Sequence, residues 1–353
     1  MRVKQPCVAK WTRTYVTIKA GRGGEADFVK RLARPQRSVV HERMPRCARA
    51  LLLLLTACAV VHEEPAVRGM PLDDRRASLF AVWVGHATVL LRIGRRNVIA
   101  DPNLGGAIVV LPRETPASLQ TWELPPIDVA LLSHMHLDHF DAKTLRQLGR
   151  RPAVLYPKGG EAYDDEIFQT RKRALSPWES IEVAGLTITA VPVRHQGGRY
   201  GLDSLWNHAY TGYVIEGAGR RVFFAGDTGY DPHKFREIGE RFPGIDLAFI
   251  PIAPGRKEGQ KDRWGHVGPR QALDIFAEVG ARYMVPIHFE SYYRVGGADR
   301  SAPRRELTEE VRRRRLDGRV FALRTGERIV VPEGEPFVVR DTSLDSVRVV
   351  AQP

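Results

Sequence analysis

Cysteine is nearly missing from this sequence. The 353-residue chain has three, Cys7, Cys47 and Cys58, and none after position 58. That excludes from the main body of the chain a thiolate-ligated zinc module, a CxxC redox pair, a cysteine nucleophile and a disulfide framework. Long apolar runs are lacking as well. The longest, Ala50–Val61, is interrupted by Thr56 and Cys58 and falls short of the roughly 18–20 residues of a membrane-spanning helix. An evenly spread positive charge is also missing. The formal charge is +13, but residues 1–58 carry 13 Lys and Arg against 3 Asp and Glu, which leaves 41 against 38 for the rest. The body of the chain therefore offers no electrostatic case for a nucleic-acid partner. With 43% hydrophobic and 27% charged residues it can bury a sizeable core.

Residues 1–43 are basic and without periodicity, and read as a disordered segment upstream of the true start. Met44 opens a different pattern: Arg46 and Arg49, the apolar Ala50–Leu55, then Leu55-Thr56-Ala57-Cys58, which resembles a bacterial lipobox. A positive flank, an apolar core and small residues before a cut make a secretory signal. The expectation is a lipoprotein signal over 44–58, lipidated at Cys58, which anchors the protein at a membrane surface facing the periplasm of the bacterial cell envelope. The alternative is a basic tail and a short apolar helix on a cytoplasmic protein. Residues 59–74 read as a linker, 75–340 as a single domain and 341–353 as a tail.

From Leu79 onward, short apolar runs punctuated by Gly, Pro and Asp predict strands at 79–85, 87–94 and 96–101, followed by an irregular stretch over 102–126. IDVALLS (127–133) and IDLAFIP (245–251) are continuous apolar runs, the pattern of strands buried on both faces. AVLYP (153–157) and ARYMVPIH (281–288) read as further strands, and 181–193 and 211–227 as hairpins. Strands 319–323 and 327–331 are expected to pair with each other and close the domain. Helices are expected over Asp141–Leu148, Lys234–Arg241, Pro269–Val279 and Thr308–Arg315, the third with Ala272, Ile275, Phe276 and Val279 inward. Strands thus alternate with helices in two halves of similar rhythm. This predicts an α/β fold of two sheets packed face to face with helices outside.

The chemistry-bearing residues gather at strand ends. His134, His136, Asp138 and His139 stand within six positions directly after the strand 127–133. In a chain of this composition H-x-H-x-D-H arises by chance about once in two thousand sequences, so it is a strong signal. Alternation aims His134 and His136 the same way from extended backbone. Imidazole and carboxylate without thiol suit zinc, manganese or iron. His195, Asp227 and His288 each stand where another apolar run stops. Any one alone reads as an ordinary hydrogen-bonded residue. Together with the dense motif they read as further ligands.

That order of HxHxDH, His, Asp and His resembles the metallo-β-lactamase superfamily. Gly85–Val89, Ala100-Asp101-Pro102, ELPPIDVALLSHMHLDHFD (123–141), FFAGDTGYD (223–231), His266–Pro269 and Pro286–Phe289 resemble more narrowly the N-acylphosphatidylethanolamine-hydrolysing phospholipase D branch. The ascorbate-phosphate lactonase branch shares part of the pattern. The resemblance implies a four-layer αββα sandwich and two divalent ions, zinc first and manganese or iron as alternatives. It assigns His134, His136 and His195 to one ion, Asp138, His139 and His288 to the other, and Asp227 to both. It places Asp101 behind the ligands as their orienting carboxylate. It makes His266 a catalytic histidine beside the substrate, together with Asp138. The implied activity is a phosphodiesterase that cleaves N-acylphosphatidylethanolamine-like phospholipids through a metal-bridging hydroxide. A lactonase or other small-molecule ester hydrolase is the alternative, and a non-catalytic metal-binding protein the second alternative. His86 reads as structural, packed beside the first hairpin. Trp206, Tyr210, Tyr213, Tyr292 and Tyr293 are candidates for a lipid groove, with core packing as the competing use.

Overall fold

The computed structural model describes residues 78–254, 265–292, 299–332 and 336–339. The expectations for 1–43, 44–58 with Cys58, 59–74 and 341–353, and Tyr293, lie outside the described residues.

Two sheets carry the fold. The first contains β1 (Leu79–Gly85), β2 (Thr88–Ile93), β3 (Arg96–Ala100), β6 (Val129–Leu131), β7 (Ala153–Pro157), β8 (Lys172–Leu175), β15 (Arg328–Val331) and β16 (Phe337–Val339), in the spatial order β16-β15-β1-β2-β3-β6-β7-β8. The second contains β9 (Ser180–Val183), β10 (Leu186–Val191), β11 (Gly212–Gly217), β12 (Arg220–Phe224), β13 (Leu247–Pro251) and β14 (Tyr283–Ile287), in the order β14-β13-β12-β11-β10-β9. A small hairpin, β4 (Ala107–Ile108) with β5 (Leu111–Pro112), stands apart from both. Each large sheet is part antiparallel and part parallel. β3, β6, β7 and β8 run parallel in the first, and β12, β13 and β14 in the second.

Strand alternation builds the layers. Leu79, Ala81 and Trp83 of β1 belong to the core that joins the two sheets. Phe80, Val82 and Val84 turn the other way, into a second cluster with Leu145 of helix α1 (Ala142–Gln147). Consecutive residues of a strand face opposite sides, so a run apolar at every position marks a sheet covered on both faces. The outer face of the second sheet carries α2 (Pro232–Arg241), α3 (Pro269–Glu278) and α4 (Ala302–Arg314). α3 packs on β13 and touches both α2 and α4, with Ala272, Leu273, Ile275 and Phe276 buried. Asp141 caps α1 and Asp231 caps α2 by accepting from early helical amides, and Pro232 and Pro269 sit in first turns, where no partner for their nitrogen is needed. The outcome is the expected α/β sandwich, layered helix, sheet, sheet, helix. Across it, the buried Tyr213 hydroxyl on β11 donates to the Leu132 carbonyl just past β6 at 2.8 Å.

Three local expectations fail. Residues 319–323 form no strand, and Val320 makes only an isolated bridge to Met284. β15 pairs instead with β1 and with β16, a strand not expected from the sequence. α4 starts at Ala302 rather than near Thr308. The supposedly irregular stretch 102–126 contains the β4–β5 hairpin, and β8 was not anticipated.

Candidate metal centre

Strands of both sheets deliver their C-terminal ends to the site. Asp101 follows β3, the segment 133–140 follows β6, His195 follows β10, Asp227 follows β12 and His288 follows β14. His139 and Phe140 donate from their amides to the His136 carbonyl, which winds the H-x-H-x-D-H segment into a tight turn. The loop bearing Asp227 crosses close by because position 226 is glycine. Its φ is +60°, and a Cβ there would lie 2.3 Å from Ser133 Cβ, a clash that only glycine avoids.

His134, His136 and His195 form one trio. His134 Nδ1 engages Ser133 Oγ at 2.9 Å, and His195 Nδ1 donates to the Gly265 carbonyl at 2.9 Å. Their Nε2 atoms are thereby turned toward His136 Nδ1, at 2.9 and 3.4 Å respectively. Asp138, His139 and His288 form the second trio. His139 Nδ1 faces Asp101 Oδ2 at 2.7 Å and His288 Nδ1 donates to the Ala253 carbonyl at 2.8 Å. Their Nε2 atoms stand 3.6 and 3.5 Å from Asp138 Oδ2. Asp227 Oδ2 lies between the trios, 3.0 Å from His288 Nε2, 3.3 Å from His139 Nε2 and 3.9 Å from His195 Nε2.

These residues fit divalent cations. His139 Nε2, His288 Nε2, His266 Nδ1 and Asp227 Oδ1 are buried and have no hydrogen-bond partner, although they crowd together. Buried polar atoms are otherwise satisfied, so their shared orientation marks a common centre for an electrophile. Ligand atoms of His134, His136 and His195, and of Asp138, His139, His288 and His86, are close enough within each group to share an ion. In His134, His195, His139 and His288 the other nitrogen is held by backbone, hydroxyl or carboxylate, as metal-bound histidines require, whereas His136 Nε2 and His86 Nδ1 have no such partner among the hydrogen bonds described.

Electrostatics separate the trios. Burial lowers the pKa of His134 well below the ordinary imidazole value and that of His195 to about 3, and also lowers His136. These are neutral donors. Burial would lower His139 and His288 too, but the neighbouring carboxylates outweigh it. Asp227, Asp138 and Asp101 hold His139 well above its ordinary value, and Asp227 and Asp138 raise His288 to about 9. Asp138 and Asp227 sit well below the carboxylate range, because the surrounding histidines overcome the burial that would raise them. The centre is thus built to hold positive charge.

Asp101 is fully buried. It accepts from Ser133 N at 2.7 Å, Ser133 Oγ at 2.6 Å and His139 Nδ1. His266 brings Nδ1 within 3.5 Å of Asp227 Oδ2 and is 17% exposed. His86, read from sequence as structural, belongs to this cluster: its Nε2 lies 3.1 Å from Asp138 Oδ2. Arg199 was not anticipated either. Its Nη1 donates to the Met135 carbonyl within the ligand motif and to the Phe140 carbonyl just after it, while Nε and Nη2 donate to the two carboxylate oxygens of Glu166, both at 2.7 Å. Asn103 Nδ2 donates to the Leu137 carbonyl in the same turn. Of the aromatic candidates, Tyr213 is core, Tyr292 stands edge-on to His86 at 4.8 Å, and Trp206 is 67% exposed. Tyr210 bridges its backbone to His134.

Residues 96–289 match the Beta-lactamase superfamily domain. The chain is 31% identical over 252 residues to N-acyl-phosphatidylethanolamine-hydrolyzing phospholipase D 1 of Caenorhabditis elegans, covering 64% of this chain and 68% of the worm protein. It is 29% identical over 236 residues to the mitochondrial N-acyl-phosphatidylethanolamine-hydrolyzing phospholipase D of Saccharomyces cerevisiae, covering 62% of this chain and 49% of the yeast protein. In fold it is similar to Igni18, a metallo hydrolase of Ignicoccus hospitalis, with a TM-score of 0.55 and 20% identity over 72% of this chain and 98% of that one. With the family match spanning more than half of its length, the chain belongs to the metallo-β-lactamase superfamily of metal-dependent hydrolases.

Proposed function

We propose that this hydrolase is a binuclear phosphodiesterase of the phospholipase D type, acting on N-acylphosphatidylethanolamine-like phospholipids. The observation that carries the reading is the meeting of two ligand trios at Asp227, on a chain about 30% identical to proteins named for that activity. When bound, two divalent cations there, zinc first and manganese or iron as alternatives, supply an acidified water and the charge that offsets phosphoryl oxygens.

The chain supplies the rest. His134, His136 and His195 hold one locus, Asp138, His139 and His288 the other, and Asp227 faces both. Asp101 keeps the proton of His139 on Nδ1, so that Nε2 stays a donor atom. Asp138, whose side chain is 25% exposed, is the carboxylate open enough to accept a hydrogen bond from the attacking water. His266 turns Nδ1 toward Asp227, which leaves Nε2 to pass a proton to the departing oxygen.

A lipid substrate is supported by the surroundings of the ligand turn. The segment leading into the β4–β5 hairpin is tied to the turn through Asn103, and the hairpin exposes Val109 at 78% and Val110 at 84%. The loop tied to it through Arg199 exposes Leu202 and Trp206. Exposed apolar clusters of this kind suit contact with acyl chains or a membrane. Lipidation of Cys58, with a periplasm-facing place at the membrane, is part of the same proposal.

Turnover of bis(p-nitrophenyl) phosphate, N-acylphosphatidylethanolamine vesicles and a lactone series by metal-reconstituted protein tests the reading. Release of phosphatidic acid from the vesicles is the expected result. Turnover confined to lactones would replace the phospholipase by the lactonase reading, and none on any substrate would favour a non-catalytic metal protein.

A further inference from the structure

His86 is held more firmly than a turn residue needs. It occupies the left-handed region at φ +55°, uncommon for a residue with a Cβ, yet it is anchored on every side. Its amide donates to Ser291 Oγ at 2.8 Å. Its carbonyl accepts from Trp83 Nε1 at 2.7 Å and from the His288 amide at 2.9 Å. Its ring lies over that of His288 at 4.1 Å. What this framework presents to the centre is one atom, Nε2, 3.1 Å from Asp138 Oδ2.

Asp138 needs such a support. Asp101 is fixed by three donors within 2.7 Å, and Asp227 is buried among the ligands. Asp138 has a side chain 25% exposed and receives no backbone donor among the hydrogen bonds described. A carboxylate only accepts, so the imidazole donates from Nε2. We propose that His86 is a positioning residue: by donating from Nε2 it holds Asp138 in the orientation that converges with His139 and His288, and so sets the affinity of the second metal locus. This rests on the two-locus reading of the centre.

The test is titration of chelator-stripped full-length protein with Co(II) against a competing chromophoric chelator, with the Co(II) absorption spectrum recorded at each equivalent. His86→Asn keeps a residue that accepts the left-handed backbone but is too short to reach Asp138. His86→Gln restores an N–H donor at the reach of Nε2. Two equivalents are expected for the unaltered protein. In His86→Asn the first should bind unchanged and the second should weaken roughly 10–100-fold, and His86→Gln should recover most of the loss. Should His86→Asn not fold, judged by circular dichroism, Ser291→Ala removes the acceptor of the His86 amide and should weaken the second equivalent in the same direction by a smaller factor. A second equivalent as tight in these variants as in the unaltered protein overturns the proposal. So does a His86→Gln protein as weak as His86→Asn with an altered second-site spectrum, which would make the imidazole a ligand instead. Fewer than two equivalents in the unaltered protein would overturn the two-locus reading itself, and the positioning role with it.

Discussion

Asp101 Oδ2 stands 2.7 Å from His139 Nδ1, and neither side chain reaches solvent. The carboxylate fixes which ring nitrogen carries the proton and the direction in which Nε2 points. Asp101→Asn should keep the fold while reducing metal affinity roughly 10–100-fold, because an amide no longer enforces that tautomer. Competition titration with a chelator, with circular dichroism as the control for folding, measures it. Unchanged affinity would show that Asp101 serves only the Ser133 amide and hydroxyl.

Asp227 is the carboxylate shared by both trios, so its loss reaches both. Asp227→Asn should lower metal content from about two equivalents toward one or fewer and reduce turnover on the order of 10⁴-fold. Elemental analysis of dialysed protein reads the first and initial rates the second. Full metal content in this variant would remove Asp227 from the ligand set.

His266 makes a contrasting case, since it borders the centre without completing either trio. His266→Ala should retain both metal equivalents and lose about 10²–10⁴-fold in turnover, the contribution of a positioned proton donor. A chromogenic substrate whose leaving group departs without protonation should suffer much less than a phospholipid. Equal losses on both substrates would argue for a binding role instead of proton transfer.

The clustered residues were legible because candidate ligands at strand ends leave a one-dimensional trace. An apolar run stops and a histidine or aspartate follows, as at His195, Asp227 and His288. His86 left no such distinction. Gly85-His86 looks like any turn between two strands, and the carboxylate it serves is 52 positions away. Arg199 was hidden for a related reason. An arginine that donates to backbone carbonyls shows no motif, and this chain has many arginines. In the fold, the hairpins were readable because their two strands are neighbours in sequence with a turn between them. The partner of Leu79 is Val331, a pairing that no local pattern encodes, so the strand 327–331 was matched with the nearby 319–323 in place of β1.

Glu166 and Arg199 yield a dependence on acidity. Burial pushes the Glu166 carboxyl up, but hydrogen bonds from Arg199 and Tyr200 and the Arg199 charge outweigh it and hold it below the ordinary value. A carboxylate depressed in the folded state contributes stability that is fully present above its unfolded pKa and lost as pH falls through the folded one. Glu166→Gln should therefore destabilise the protein by about 1.5–3 kcal/mol at neutral pH, the range for a hydrogen bond to a charged group, because the nearly buried Arg199 loses its counter-charge. The gap should begin to narrow as pH falls below the ordinary glutamate value of about 4.3 and close only once pH is below the lowered value in the folded protein, where the native carboxylate is neutralised as well. Thermal melts of both proteins between neutral pH and pH 3 read this directly. A gap that stays constant into acid would mean that the pair acts through shape alone. Because Arg199 also ties down the Met135 and Phe140 carbonyls, the same variant should lose metal on dialysis faster than the unaltered protein. That loss would connect the ion pair to the ligand turn, whereas unchanged retention would confine it to global stability.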